Sequence, residues 1–160
     1  MGIAELQRAL RGYRALLLDT MVFSYHLGDH PVYAPLTDAI LSMVEQGSLL
    51  GLTTTITVAE LLTRPAQEGN LEAMRDYRLY LANFPNLQIA PVDLLLAEKA
   101  ALVRAETRLK MPDAIQVAAA QLYSADTIIT NDRAWLNRFP APSVTILDDF
   151  VEPARGSQDA

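Results

Sequence analysis

Cysteine is absent from the 160 residues, which excludes disulfides, thiolate metal sites and thiol nucleophiles. Histidine is nearly absent as well, with only His26 and His30. No clear helix places those two rings on one face, and no cysteine partners them, so they read as solvated or capping groups rather than metal ligands. No apolar run reaches the roughly 18 residues a membrane span needs, because charges or turn residues interrupt each one. The opening MGIAELQRALRGYR has helical spacing and no signal-like apolar core, so cytoplasm is the expected compartment, with no membrane association. A basic excess is missing too, since 13 Lys and Arg face 19 Asp and Glu, a formal charge of −6. Phosphate backbones usually select basic surfaces, which makes that balance awkward for a nucleic-acid enzyme.

What is present is a hydrophobic fraction of 51% with 20% charged residues, values of a globular chain with room for one core. Ile3 to about Arg11 has a helical period. Tyr13 to Leu18 is a short apolar run ending at Asp19, the mark of a strand buried on both faces. Val32 to Gln46 is helical, with Gly47 as its stop. Leu49 to Ile56 reads as a second strand and Val58 to Thr63 as a short helix halted before Pro65. A helix from Leu71 to Asn83 leads to a third strand, Leu87 to Val92, and Asp93 is placed to cap a helix from Leu94 to Arg108. Met111-Pro112-Asp113 opens a further helix to about Tyr123. Thr127 to Thr130 and Ser143 to Leu147 complete five strands, and the polar residues after the domain, 151–160, are expected to form a frayed tail. Alternation of strands and helices predicts an α/β fold, a three-layer α-β-α sandwich around a central, mostly parallel sheet, within a single domain over 1–150 that begins with a helix.

In such sheets ligands bind beyond the carboxyl ends of the strands. Asp19 follows the first strand and Asp132 the fourth, Asp113 opens the helix leading into the fourth, and Glu60 follows the second. Four acids separated by 41, 53 and 19 residues thus fall at one edge. Two carboxylates about 4 Å apart repel by roughly 4 kcal/mol at an effective dielectric of about 20. Such a pocket must bind a cation, take up protons or stay wet. Oxygen-only ligands favour Mg2+ or Mn2+ over zinc, and such an ion suits hydrolysis of phosphodiesters. With the four acids set aside, 13 cations face 15 acids, so the net charge is compatible with this chemistry. Taken singly, each acid has a structural reading: a helix cap for Asp19, a dipole partner for Asp113, a solvated residue for Glu60, a turn for Asp132.

The blocks Leu16-Leu17-Leu18-Asp19-Thr20, Val58-Ala59-Glu60-Leu61, Pro112-Asp113-Ala114-Ile115-Gln116 and Thr130-Asn131-Asp132-Arg133-Ala134-Trp135 resemble the signature blocks of PIN-domain nucleases. The resemblance extends from about Arg14 to Phe150, and the last two blocks are the specific ones. It implies a five-stranded parallel sheet, magnesium or manganese dependence and cleavage of single-stranded RNA. Asp19, Glu60, Asp113 and Asp132 match that family's four acids, as both catalytic residues and metal ligands, and Thr130 matches a supporting hydroxyl. Members of this length are commonly VapC-type toxins of VapBC toxin–antitoxin pairs, so an antitoxin protein and a homodimer are the implied partners. Met21 departs from the pattern, standing where the family often has Asn or Ser.

Arg14, Arg64, Lys110 and Arg133 neighbour the acidic blocks and read either as grips on an RNA backbone or as charges balancing the acids; Arg133 and Arg64 are the candidate substrate-binding cations, Arg133 foremost. Asp148-Asp149 reads as a turn or helix start, and Trp135 with Phe139 as a core anchor. The alternative function is a catalytically inactive PIN-like binding module in an RNA-processing assembly, against which the presence of all four acids argues. A phosphatase of the acidic-pocket type would need an acid at position 21, where methionine stands. A phosphoryl-transfer receiver would want paired acids after the first strand and a lysine after the last, and neither is evident.

Overall fold

A computed structural model describes residues 2–153. Five strands form its sheet: β1 (Ala15–Leu18), β2 (Leu50–Thr54), β3 (Leu87–Ala90), β4 (Thr127–Thr130) and β5 (Ser143–Ile146). Their order is β3-β2-β1-β4-β5, and every pair is parallel. Seven α-helices connect them: α1 (Ile3–Leu10), α2 (Thr20–Leu27), α3 (Ala34–Glu45), α4 (Thr55–Gln67), α5 (Leu71–Ala82), α6 (Leu94–Thr107) and α7 (Met111–Leu122). One-turn 3-10 helices follow β4 and β5, at Arg133–Trp135 and Leu147–Phe150.

The leucine run of β1 divides its side chains between two cores. Leu17 packs with α6 and α7 residues such as Val103, Ala114 and Ala118. Leu16 and Leu18 face the opposite cluster, with Leu6 and Leu10 of α1, Val22 of α2 and Ile40 of α3. Ile128 and Ile129 of β4 alternate in the same way. A strand apolar on both faces is one covered by helices on both sides, and the expected three-layer arrangement is what the chain adopts. On α7, Ala114, Ala118, Ala119 and Ala120 are fully buried, and these small side chains let the helix sit close to the sheet.

Caps follow the expected chemistry. Asp93 accepts from the backbone N–H of Leu96 at 2.9 Å at the start of α6. Gly47 adopts φ 83° just beyond α3, a conformation easy for glycine alone. At the amino edge of the sheet, the Asp126 carboxylate accepts from the N–H groups of Arg14 and Ala15 at 2.7 and 3.0 Å. Those backbone donors hold its pKa below the usual carboxylate range.

Several expectations require correction, among them the third strand, which ends at Ala90, before Pro91, rather than at Val92. The segment after Asp19, unassigned apart from the reading of Asp19 as a helix cap, is a helix, α2, whose composition TMVFSYHL offers almost no polar face to reveal a period. The second strand ends at Thr54 rather than Ile56, because the Thr54 hydroxyl accepts from the N–H of Ile56 and starts α4 there. Helix α4 also runs through Pro65 to Gln67 instead of stopping before it. Pro65 forfeits one intrahelical bond, but its ring is buried, and the next turn closes through Glu68 N–H donating to Arg64 O at 3.1 Å. Among the described residues no helix is long and apolar enough to cross a membrane. The end of the expected frayed tail, 154–160, lies outside the described residues.

Candidate active site

The chain leaves β1 and turns away at Asp19, whose carboxylate caps α2 by accepting from Thr20 N–H at 2.8 Å. Its other oxygen accepts from the Thr130 hydroxyl at the end of β4, also at 2.8 Å. Because β1 and β4 are adjacent and parallel, both residues reach the carboxyl edge together. Thr130 Oγ1 in turn accepts from Asp132 N–H at 3.1 Å. One hydroxyl thus ties the first acid to the backbone of the fourth.

Asp19 is 8% exposed. Burial raises its pKa to about 6, against the opposing pull of the Thr130 and Thr20 hydrogen bonds and with added repulsion from Asp113 and Glu60. Asp113, in the first turn of α7, is also raised, first by desolvation and then by the charges of Asp132 and Glu60. The Trp135 indole and Lys110 act on it in the opposite direction. These mutual effects place all four acids in one electrostatic neighbourhood at the sheet edge.

Glu60 lies one helical turn along α4 from the buried Thr57. Its Oε1 accepts from the Thr20 hydroxyl at 2.8 Å. Thr57 Oγ1 stands 3.2 Å from Thr20 Oγ1 and 2.8 Å from Thr53 Oγ1, and accepts from Gln116 Nε2 at 2.7 Å. Thr54 donates to Gln116 Oε1 at 3.1 Å. This hydroxyl–amide network joins β2, α2, α4 and α7 beneath the acids. Sequence reasoning missed Thr20, Thr57 and Gln116. The available signal was four threonines among residues 53–57 and a glutamine one turn after Asp113, both unusual so close to a core.

Met21, which departs from the family pattern, bonds to the Asp132 loop. Its sulfur accepts from Asn131 N–H at 2.7 Å, while Asp19 is ordered by Thr20 and Thr130 instead. Asn131 Oδ1 accepts from Asp148 N–H at 2.8 Å, stitching the Asp132 loop to the end of β5.

The candidate cations are engaged elsewhere. Arg133 donates to Asp149 at 2.6 Å with Asp148 at 3.7 Å, which raises its pKa. Arg64 pairs with Glu68 at 3.1 Å, although its side chain remains 88% exposed. It lies on a cleft of about 380 Å³ that also takes in Thr20, Glu60 and Tyr77. His30 accepts from the N–H groups of Val32 and Tyr33, a capping role, and His26 contacts Asp38. Trp135 is buried as a core anchor, with Phe139 packed against the same cluster.

The donor set suits a hard divalent cation in kind, being all oxygen and rich in carboxylates that repel one another. Asp19, Asp113, Asp132 and Glu60 are the residues that could hold one. As the side chains stand, among the described residues no three His, Asp or Glu groups are gathered at ligand distance. Three of the four acids are turned instead to donors of the chain itself: Asp19 to Thr20 and Thr130, Glu60 to Thr20, and Asp132 to the N–H of Ala134 at 2.9 Å.

Comparison with curated proteins finds no match. Solved structures of similar fold include a toxin–antitoxin complex from Klebsiella pneumoniae, at 22% identity and TM-score 0.59 over 81% of this chain and 99% of that one. VapBC2 from Rickettsia felis, bound to a DNA fragment from its promoter, gives 18% identity and TM-score 0.62 over 82% and 98%. FitAcB from Neisseria gonorrhoeae gives 24% identity and TM-score 0.59 over 83% and 98%. The PIN domain family profile matches residues 16–141, from the first core strand to the loop before the last, and on that match the chain belongs to the PIN-domain nuclease family.

Proposed function

We propose that the protein is a metal-dependent endoribonuclease that hydrolyses phosphodiester bonds of single-stranded RNA, and that it is the toxin of a VapBC-type toxin–antitoxin pair. The observation that carries this reading is Asp19, a buried carboxylate with a pKa near 6 beside two further acids at the switch point of a parallel sheet. Burying a charge among like charges is costly, and function is the usual reason a fold retains it. Mg2+ or Mn2+ is the cation this donor set favours. The chemistry such an ion supplies is neutralisation of charge on the phosphoryl oxygens and a lowered pKa for water.

The chain's own residues have separable tasks. Thr130 and the N–H of Thr20 orient Asp19, and the Thr20 hydroxyl, backed by Thr57 and Gln116, orients Glu60. Asp113 sits at the positive end of α7, where the helix dipole favours its ionised form. Asp132 is fixed by the loop that Asn131 ties to Asp148. Arg64, on the cleft beside Glu60, is the better placed of the two candidate cations to meet an RNA phosphate, since Arg133 is held by Asp148 and Asp149. The similar structures from Klebsiella and Rickettsia are complexes named for toxin and antitoxin or VapBC, which supports an antitoxin as the partner here. Cytoplasmic location follows from an RNA substrate.

The decisive experiment pairs cleavage with metal binding. Wild-type protein should cut single-stranded RNA in Mg2+ or Mn2+ and melt at higher temperature in their presence, with about 2.7 kcal/mol of stabilisation at a hundredfold excess over the dissociation constant. Asp113→Asn should stay folded, lose cleavage and lose the metal-induced shift. Undiminished cleavage by the folded variant would remove Asp113 from the mechanism. Wild-type protein that neither binds the ions nor cuts RNA would favour an inactive binding module.

A further inference from the structure

The 3-10 turn that carries Asp132 also delivers Trp135, the sole tryptophan of the chain, into the core beneath α7. Trp135 is 1% exposed, yet its Nε1 has no hydrogen-bond partner, the one such buried side-chain nitrogen or oxygen among the described residues. An unmade bond by a buried donor is expensive, and native folds rarely leave one without a reason. Phenylalanine would fill much of the same space without that donor. The indole belongs to the same core cluster as Ala114 and Ala118 of α7, and the Trp135 backbone N–H donates to Asp132 O at 3.2 Å. The acid it acts on is Asp113, at the start of α7, whose ionised form the indole favours although the two are not at hydrogen-bond geometry.

We propose that Trp135 is a positioning residue for the metal site, its free indole N–H reserved for the Asp113 carboxylate when that side chain turns to a divalent cation. The inference rests on the reading of Asp113 as a metal ligand. A carboxylate has two oxygens with several lone pairs, so one oxygen can face an ion while the other accepts from the indole. Ligating carboxylates are ordinarily held by such a donor from behind. The short link Asp132-Arg133-Ala134-Trp135 then places two acids under one turn: Asp132 is part of it and Asp113 is gripped by it. That role accounts for a buried N–H that nothing else among the described residues satisfies.

The test uses the single indole N–H resonance of nitrogen-15-labelled full-length protein. Addition of Mg2+ should move that resonance downfield, as a new hydrogen bond does, and Asp113→Asn should abolish the movement. Trp135→Phe, checked for native fold by circular dichroism, should bind Mn2+ about tenfold more weakly or worse by calorimetry. If backbone amides around Asp19 and Thr130 respond to Mg2+ but the indole does not, the role of Trp135 is overturned and the metal site stands. If nothing responds to Mg2+, the metal site itself is wrong and the inference falls with it.

Discussion

Asp19 answers to two descriptions that looked like rivals in the sequence. It is a helix cap, accepting from Thr20 N–H, and it is also the most strongly perturbed acid of the site. The same holds for Asp132, which caps the turn at Ala134 while standing in the acidic neighbourhood. Capping fixes the rotamer of each carboxylate, so a structural role does not compete with the proposed functional one. The energetic signature is a pH dependence. With a folded pKa near 6 against 3.8 for the free group, the native state binds more protons than the unfolded chain between about pH 4 and 6, so stability is lost as pH rises through that window. At about 1.4 kcal/mol per pKa unit the loss is up to about 3 kcal/mol in metal-free protein. Asp19→Asn keeps the shape without the charge, so it should be the more stable protein above pH 6 and the two should converge towards pH 4. Urea unfolding across that range provides the measurement, and parallel curves would show that Asp19 is not the source.

At the scale of elements, β2 depends on a missing side chain. A Cβ at Gly51 would lie 3.0 Å from Leu87 Cδ1, 3.1 Å from Val44 Cγ1 and 3.5 Å from Leu18 Cδ1, where β2 is wedged between its neighbours and α3. Gly51→Ala should therefore lower stability by about 1–3 kcal/mol in chemical denaturation. An unchanged midpoint would mean that Val44 and Leu87 yield freely. Elements were legible where composition forced them. The Leu16–Leu18 run, Pro112 with Asp113 at a helix start, and Asp93 ahead of its helix each have a single cheap structural solution. Helix α2 was hidden because it is apolar nearly all round, so periodicity had nothing to detect. The Thr20–Thr57–Gln116 network was hidden for another reason: its members lie on three helices, and only the folded sheet edge brings them together. Asp19, Asp113 and Asp132 stand at or beside element ends, where position alone draws notice, whereas Glu60, Thr57 and Gln116 lie inside helices.

At the scale of the molecule, α6 presents Leu94, Leu95 and Leu102 to solvent, with Leu94 91% exposed. Leu95 and Leu102 lie two turns apart on one face, and apolar surface of that kind usually meets a partner. A homodimer covering it is the arrangement we expect. Leu95→Glu combined with Leu102→Glu should then convert the sedimenting species from dimer to monomer, and a wild-type protein already monomeric at tens of micromolar would dispose of the idea. Sequence order matters at this scale as well. The bond between Asp19 and Thr130 joins positions 111 residues apart, since β1 must wait for β4 to become its neighbour. While α6 is still being made, the nascent chain holds Asp19 and Glu60 but neither Asp113 nor Asp132. The acidic edge is therefore completed only as the last third of the polypeptide emerges and β4 docks beside β1.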